Sequence, residues 1–191
     1  HFHDNLEKML KRSNADAFLV STPTSTHFEV AMRVIESDKI AIVEKPLCTR
    51  QSEMDALLTA ARTRKLPLYT AFHPAYGREI DWWREQREAH NFDLGTFLGF
   101  DSCFADPYYI DGKLTLGAVG KAGAWTDSGA SGLSALSRLI DPATFKLVDG
   151  RMTVIPSLSC AQVQGSGIYS FTDQGRKGFG IVDTNWTLGK N

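Results

Sequence analysis

Lys39-Ile40-Ala41-Ile42-Val43-Glu44-Lys45-Pro46-Leu47 is the stretch on which the reading of this chain turns. An apolar, β-prone run, Ile40 to Val43, stops abruptly at an acid, a base and a proline. Such a run, without polar alternation, predicts a buried parallel strand. Pro46 cannot continue a central strand and disfavours helix at Lys45. Glu44 and Lys45 are therefore expected at the carboxyl end of a strand, where open α/β sheets place their ligands. Locally, the pair also fits a solvated ion pair in an ordinary β–α turn. The flanking sequence has to decide.

Working outward, Leu6, Met9 and Leu10 give Asn5 to Arg12 a helical spacing with basic residues toward its end. Asp16 to Ser21 reads as a short strand, and Thr22-Pro23-Thr24-Ser25-Thr26 as a turn rich in capping residues. His27 to Ser37 follows as a helix with Val30, Ala31, Val34 and Ile35 on one face. After the decisive strand, Ser52 is expected to cap a helix to about Arg64, with Met54, Leu57, Leu58 and Ala61 inward; Leu66 to Phe72 is a third strand. The α-β-α-β-α-β order implies parallel strands with crossover helices. The opening helix has no preceding strand, so residues 1–73 are expected to form the second half of a doubly wound domain whose first half lies outside this sequence.

The pattern then changes. A helix is predicted from about Gly77 to His90, with Ile80, Trp83 and Arg87 at helical spacing, and a strand over Gly95 to Phe104. Ala105 to Trp125 reads as a long irregular, functional loop, and Gly129 to Ile140 as a second helix ended by Asp141-Pro142. Strands are then predicted at Phe145–Ile155, Ser159–Gln164, Gly167–Thr172 and Gly178–Trp186. Turns are predicted at Asp149-Gly150, Gly165-Ser166-Gly167 and Asp173-Gln174-Gly175. The expected class is an α/β, partial Rossmann-like doubly wound domain over residues 1–73, followed by an α+β domain with a mainly antiparallel sheet over 74–191. The end straight after a strand reads as a truncation.

A formal charge of −1 on 191 residues, with no basic run, argues against a nucleic-acid surface. No apolar stretch approaches the roughly 18 residues that a membrane span needs. His1 to Leu6 lacks the apolar core of a signal peptide. Cys48, Cys103 and Cys160 are few, odd in number and far apart, which suggests free thiols, no metal cluster and a cytoplasmic location.

Three strand ends are expected on one rim, delivering Ser21-Thr22-Pro23, Glu44-Lys45-Pro46 and Phe72-His73. Hydroxyls at the first suit ribose and phosphate, and a helix amino end follows them; plain capping is the alternative. A lysine facing a crevice between domains can hold a substrate hydroxyl or carbonyl, and partial burial would help it move a proton. A second candidate cluster is Trp125-Thr126-Asp127-Ser128-Gly129-Ala130-Ser131. There the acid is expected just before a helix and Ser131 one turn later on the same face. Asp127 could instead be an N-cap.

At these residues the chain resembles the glucose–fructose oxidoreductase/inositol dehydrogenase family, Gfo/Idh/MocA. The matching pieces are the strand Ala17 to Ser21 followed by Thr22-Pro23-x-x-x-His27, then Val43-Glu44-Lys45-Pro46-Leu47, then Asp127-x-Gly129. Within the family, Asp127 to Leu136 looks most similar to aldose 1-dehydrogenases acting on galactose or arabinose. The resemblance implies hydride transfer between NAD or NADP and a carbinol carbon of a sugar. It implies Lys45 and Asp127 as catalytic residues. Ser21, Thr22, Pro23, His27, Glu44 and Lys45 fall at cofactor positions, and Lys45, His73, Trp125, Asp127 and Ser131 at substrate positions. It also implies a small-molecule sugar substrate and a homo-oligomer paired through the antiparallel sheet.

Two departures matter. Many members carry a histidine where this chain has Ser131, and a serine is no base without a basic partner. That favours an aldose C1 substrate, whose hemiacetal hydroxyl is more acidic than an ordinary alcohol. The family's phosphate loop, Gly-x-Gly-x-x-Gly, has no counterpart here, since Gly165-x-Gly167 lies among strands. The piece is therefore not expected to hold the cofactor alone. A competing reading is a non-catalytic NAD(P) or sugar sensor of the same fold; a further one, compatible with catalysis, is a dimerising module. The latter would use Val154, Val163, Ile168, Phe171 and Ile181 from the sheet.

Overall fold

The structure is a computed structural model that describes residues 5–89, 95–115, 118, 123–156 and 162–187. Cys160, His90, the first residues of the strand expected from Ser159, and the two ends of the chain lie outside the described residues. The chain divides into two units, residues 1–71 and 72–191.

In the first unit, α1 (Leu6–Arg12), β1 (Ala17–Val20), α2 (His27–Glu36), β2 (Ile40–Glu44), α3 (Gln51–Arg64) and β3 (Leu68–Ala71) alternate. The Asn5 side chain caps α1 by accepting from the Lys8 amide at 3.2 Å. The sheet order is β1-β2-β3, all parallel, with Val20 opposite Val43 and Val43 opposite Thr70. A parallel pair needs a crossover between its strands, which α2 and α3 supply. Phe18, Val20, Ala41 and Val43 point to one side of the sheet, where they meet Ala31, Val34 and Ile35 of α2 and Leu57 and Ala61 of α3. Burying each larger side chain contributes roughly 1.5–3 kcal/mol.

Two expectations change here. On the other face β2 is only half-buried at Ile40 and Ile42, and Leu19 is 62% exposed, so the strand is sealed on one side. Arg50, not Ser52, is the N-cap of α3 and makes no side-chain cap bond; Ser52 lies inside the first turn.

In the second unit a 3₁₀ turn, His73–Tyr76, precedes α4 (Arg78–Glu88). Then follow β4 (Gly99–Ala105), β5 (Tyr109–Ile110), β6 (Lys113–Leu114), a π-turn at Trp125–Gly129, α5 (Ala130–Leu136), β7 (Lys146–Val154), β8 (Gln162–Asp173) and β9 (Arg176–Asn185). The sheet order is β4-β9-β8-β7: the last three strands are antiparallel, and β4 joins β9 in parallel. Phe100, Phe145 and Phe171 pack between the sheet and its neighbours, with the Phe100 and Phe171 rings stacked at 5.6 Å. Arg87 of α4 clamps both carboxylate oxygens of Asp173 at 2.6 Å, pinning that helix to the end of β8.

The glycines explain where the sequence misled. Gly165-Ser166-Gly167 is no turn but the middle of one long strand, β8. A Cβ at Gly165 or Gly167 would meet the Trp125 indole at 2.8 or 2.6 Å. The pair is bare because a tryptophan lies across it. Asp149-Gly150 likewise lies within β7, beside a shift of register between Leu147 and Asp149. Part of the expected irregular loop is the β5–β6 hairpin, turned by Asp111 and Gly112 at φ 49° and 76°. That is the two-residue Asp-Gly turn that hairpins favour. Gln174 and Gly175 turn β8 into β9 in the same way.

Gly167→Ala should therefore destabilise the chain by about 1–3 kcal/mol through overpacking against Trp125. Gly150→Ala, whose Cβ has ordinary room, is the control. Urea denaturation of the two variants checks this; equal midpoints would contradict the wedge.

Candidate functional site

Because β1, β2 and β3 are parallel, Val20, Glu44 and Ala71 end on one edge of the first unit. Ser21, Thr22 and Pro23 leave β1 exposed. The Thr26 hydroxyl sits 2.8 Å from the Thr22 hydroxyl and 2.7 Å from the Pro23 carbonyl, which tightens the turn into α2. At the end of β2, Glu44 and Lys45 are half-buried, and the Lys45 amide donates to Glu44 Oε2 at 3.2 Å. The Lys45–Pro46 peptide is cis and Pro46 is buried.

His27 is 1% exposed. Its Nδ1 lies 2.8 Å from the Pro46 carbonyl oxygen and its Nε2 2.8 Å from the Thr22 carbonyl oxygen. The ring thus spans the loops that leave β1 and β2. Close by in sequence, burial pushes the Cys48 thiol above its ordinary pKa, with Glu53 and Asp55 adding to the effect and a hydrogen bond to Arg50 opposing it. A thiol shifted in that direction is a poor nucleophile near neutral pH.

In the second unit, Trp125, Asp127 and Ser131 share the π-turn and the start of α5. The acid was expected before the helix; instead the helical path already begins at Trp125, and Asp127 lies inside its widened turn. Insertions of this kind are frequent at functional sites. Asp127 is 2% and Ser131 4% exposed. Ser131 donates its hydroxyl to the backbone carbonyl of Asp127, one turn earlier, at 3.3 Å. His73 is exposed on the 3₁₀ turn that packs beside α5.

What holds the turn was missed from sequence. Ser128 donates to Asp106 Oδ2 at 2.6 Å and accepts from the buried Trp186 indole N–H at 3.0 Å. Asp106 follows β4 and Trp186 follows β9, so two strand ends grip the residue next to Asp127. A single acid in a loop and a lone tryptophan gave no signal of this; Asp127-Ser128-Gly129 alone hinted at it. Among the described residues no group of three or more His, Cys, Asp or Glu side chains could hold a metal ion. No helix among them is long and apolar enough to cross a membrane.

A parallel α/β unit with hydroxyls, an acid and a lysine on its carboxyl edge defines a Rossmann-type nucleotide-binding unit. Residues 1–72 match the sequence model of the Gfo/Idh/MocA oxidoreductase family, NAD-binding Rossmann fold, and that segment of the chain is similar to this family. It is 32% identical over 75 residues to the uncharacterized oxidoreductase YgjR of Escherichia coli strain K12, which covers 39% of this chain and 23% of that protein. It is 29% identical over 125 residues to dTDP-3,4-didehydro-2,6-dideoxy-alpha-D-glucose 3-reductase of Actinomadura kijaniata, covering 63% and 36%. Among solved structures, an inositol dehydrogenase homolog of Azotobacter vinelandii complexed with NADH and myo-inositol has a TM-score of 0.78 at 18% identity. It covers 98% of this chain and 50% of its own, so the chain spans about half the length of that relative. A Rossmann-type unit followed by a mixed-sheet domain is the fold of these neighbours.

Ser128→Ala should cost about 1–3 kcal/mol, because it leaves a buried indole N–H without its acceptor. Chemical denaturation followed by tryptophan fluorescence reads it; an unchanged midpoint would mean that the serine does not hold the turn.

Proposed function

We propose that this chain is part of an NAD(P)-dependent oxidoreductase acting on a sugar or sugar derivative, with the carbinol at C1 of an aldose as the reacting centre. The observation that carries this is the position of Lys45: a half-buried base one residue past the end of a parallel strand, in a unit that matches an NAD-binding family. Relatives named for inositol and for a dTDP-sugar point to the substrate class.

The exposed hydroxyls of Ser21 and Thr22 fit the ribose and nicotinamide end of the cofactor. The chain carries no Gly-x-Gly-x-x-Gly cradle for the pyrophosphate, so its residues fit only that end. When bound, the nicotinamide supplies the hydride acceptor or donor. Lys45 holds the reacting oxygen and takes or returns its proton. Asp127 orients a substrate hydroxyl from a turn fixed by Ser128. Ser131 spends its hydroxyl on the backbone and adds no basicity, which fits a substrate with an already acidic hemiacetal hydroxyl. His73 and Trp125 are assigned to substrate contact.

In the full-length parent assayed with an aldose panel, Lys45→Ala should lower kcat by about 10²-fold or more, the scale of lost proton transfer. Asp127→Asn should cost less in kcat and more in KM. Wild-type turnover in Lys45→Ala would defeat the assignment. A non-catalytic sensor is the rival reading, favoured by the engaged Ser131 hydroxyl, and it calls for ligand binding without any turnover.

A second copy of the chain is proposed as the partner of the open sheet face. There Ile168 and Ile181 are paired across strands at 38% exposure each, and Phe179 is 51% exposed. Val163 and Phe171, grouped with them from sequence, instead point into the core at 1% each. Light scattering should show a dimer or larger for the parent and a smaller species for Ile181→Asp; a monomeric parent would contradict this.

A further inference from the structure

We propose that His27 is a positioning residue that works as a doubly protonated imidazolium, fixing the backbone from which Lys45 is presented. The proposal rests on the reading of Lys45 above, but its first test does not.

The hydrogen-bond partners of the ring among the described residues are backbone carbonyls, Thr22 on Nε2 and Pro46 on Nδ1, each at 2.8 Å. A carbonyl accepts and never donates. A neutral imidazole has one N–H and one lone pair. It could satisfy one carbonyl only, and its lone pair would then face the other at 2.8 Å, in a buried contact at Pro46 or a part-buried one at Thr22. An acceptor facing a lone pair at that distance is repelled instead of bonded, and where the contact is buried it is left without any partner. Two N–H groups satisfy both, and the hydrogen bonds of a cation are the stronger kind. Burying the charge opposes this; two carbonyl dipoles aimed at the two nitrogens are the arrangement that offsets it.

The geometric consequence falls on Lys45. His27 is the first residue of α2, so the helix anchors its backbone. A planar ring holds its two nitrogens at a fixed separation. The loop leaving β1 and the loop leaving β2 are thereby held at a set distance, across 19 residues of sequence. Lys45 directly precedes Pro46, and its own amide is tied back to Glu44. With β2 fixed on one side and the Pro46 carbonyl on the other, the Lys45 backbone has little freedom. His27 itself is too buried to need any contact with a cofactor in order to matter.

The first test is a two-bond ¹H–¹⁵N spectrum of the imidazoles in the 191-residue chain at neutral pH, with His27 assigned by its loss in His27→Gln. Both His27 nitrogens should resonate as protonated. One protonated and one bare nitrogen would overturn the proposal. The second test compares His27→Gln and His27→Phe in the full-length parent. Phe keeps the ring volume with no N–H, and Gln can serve one carbonyl. kcat should fall about tenfold or more in His27→Phe, the scale of a small misplacement, and by less in His27→Gln, with KM for sugar little changed. A folded His27→Phe with wild-type kcat would overturn the positioning role. Should His27→Phe fail to fold, wild-type kcat in His27→Gln with Lys45→Ala inactive would do the same. A wild-type parent without turnover would instead reject the dehydrogenase reading and leave the nitrogen spectrum to decide the state of His27.

Discussion

β2 is held parallel between β1 and β3, and this hydrogen-bonded register is the constraint on which the candidate site depends. Val43, fully buried and flanked by Val20 and Thr70, cannot move without unpairing two strands and opening the core. The residues that follow it must leave the sheet at that edge. An acid and a lysine are costly to bury, and a proline cannot extend the ladder. The chain therefore stops pairing at Glu44 and turns, and Lys45 is set at the rim by packing. His27 fixes the same turn from the other side, so the lysine stands between a rigid strand and a tethered loop.

The second unit solves a similar problem with different means. Its acid, Asp127, is buried within a widened helical turn. Neighbouring side chains are committed to holding that turn. Trp125 lies on a strand stripped to glycine at Gly165 and Gly167, and Ser128 is gripped by Asp106 and Trp186. Rigid support of this kind is what lets a site keep its geometry when a ligand arrives. The cost is a narrow tolerance for substitution around the tryptophan.

Much of the first unit was legible. Apolar runs bounded by Pro, Ser and Thr located β1, β2, α2 and α3, since there local periodicity and tertiary burial agree. The dinucleotide-type edge followed from Val43-Glu44-Lys45-Pro46. The second unit was less legible, because its signals conflict. Gly165-Ser166-Gly167 has turn composition but serves packing, and only the position of Trp125, far away in sequence, shows it. Asp111-Gly112 carried a hairpin signal that was lost inside a stretch read as irregular. The start of the helix at Trp125 was invisible because Asp127 and Ser128 look like caps. The two carbonyls on His27 were beyond reach, since hydrogen bonds to backbone leave no mark on residue type.

The central proposal, that this chain is part of an oxidoreductase moving hydride between a sugar carbon and a nicotinamide, is tested most directly by isotope. The full-length parent would be incubated with aldoses deuterated at C1 and with NAD or NADP, and the recovered cofactor weighed by mass spectrometry. The account predicts deuterium on the reduced nicotinamide ring. Tight binding of sugar and cofactor with no label transferred from any aldose or other deuterated sugar carbinol would contradict it.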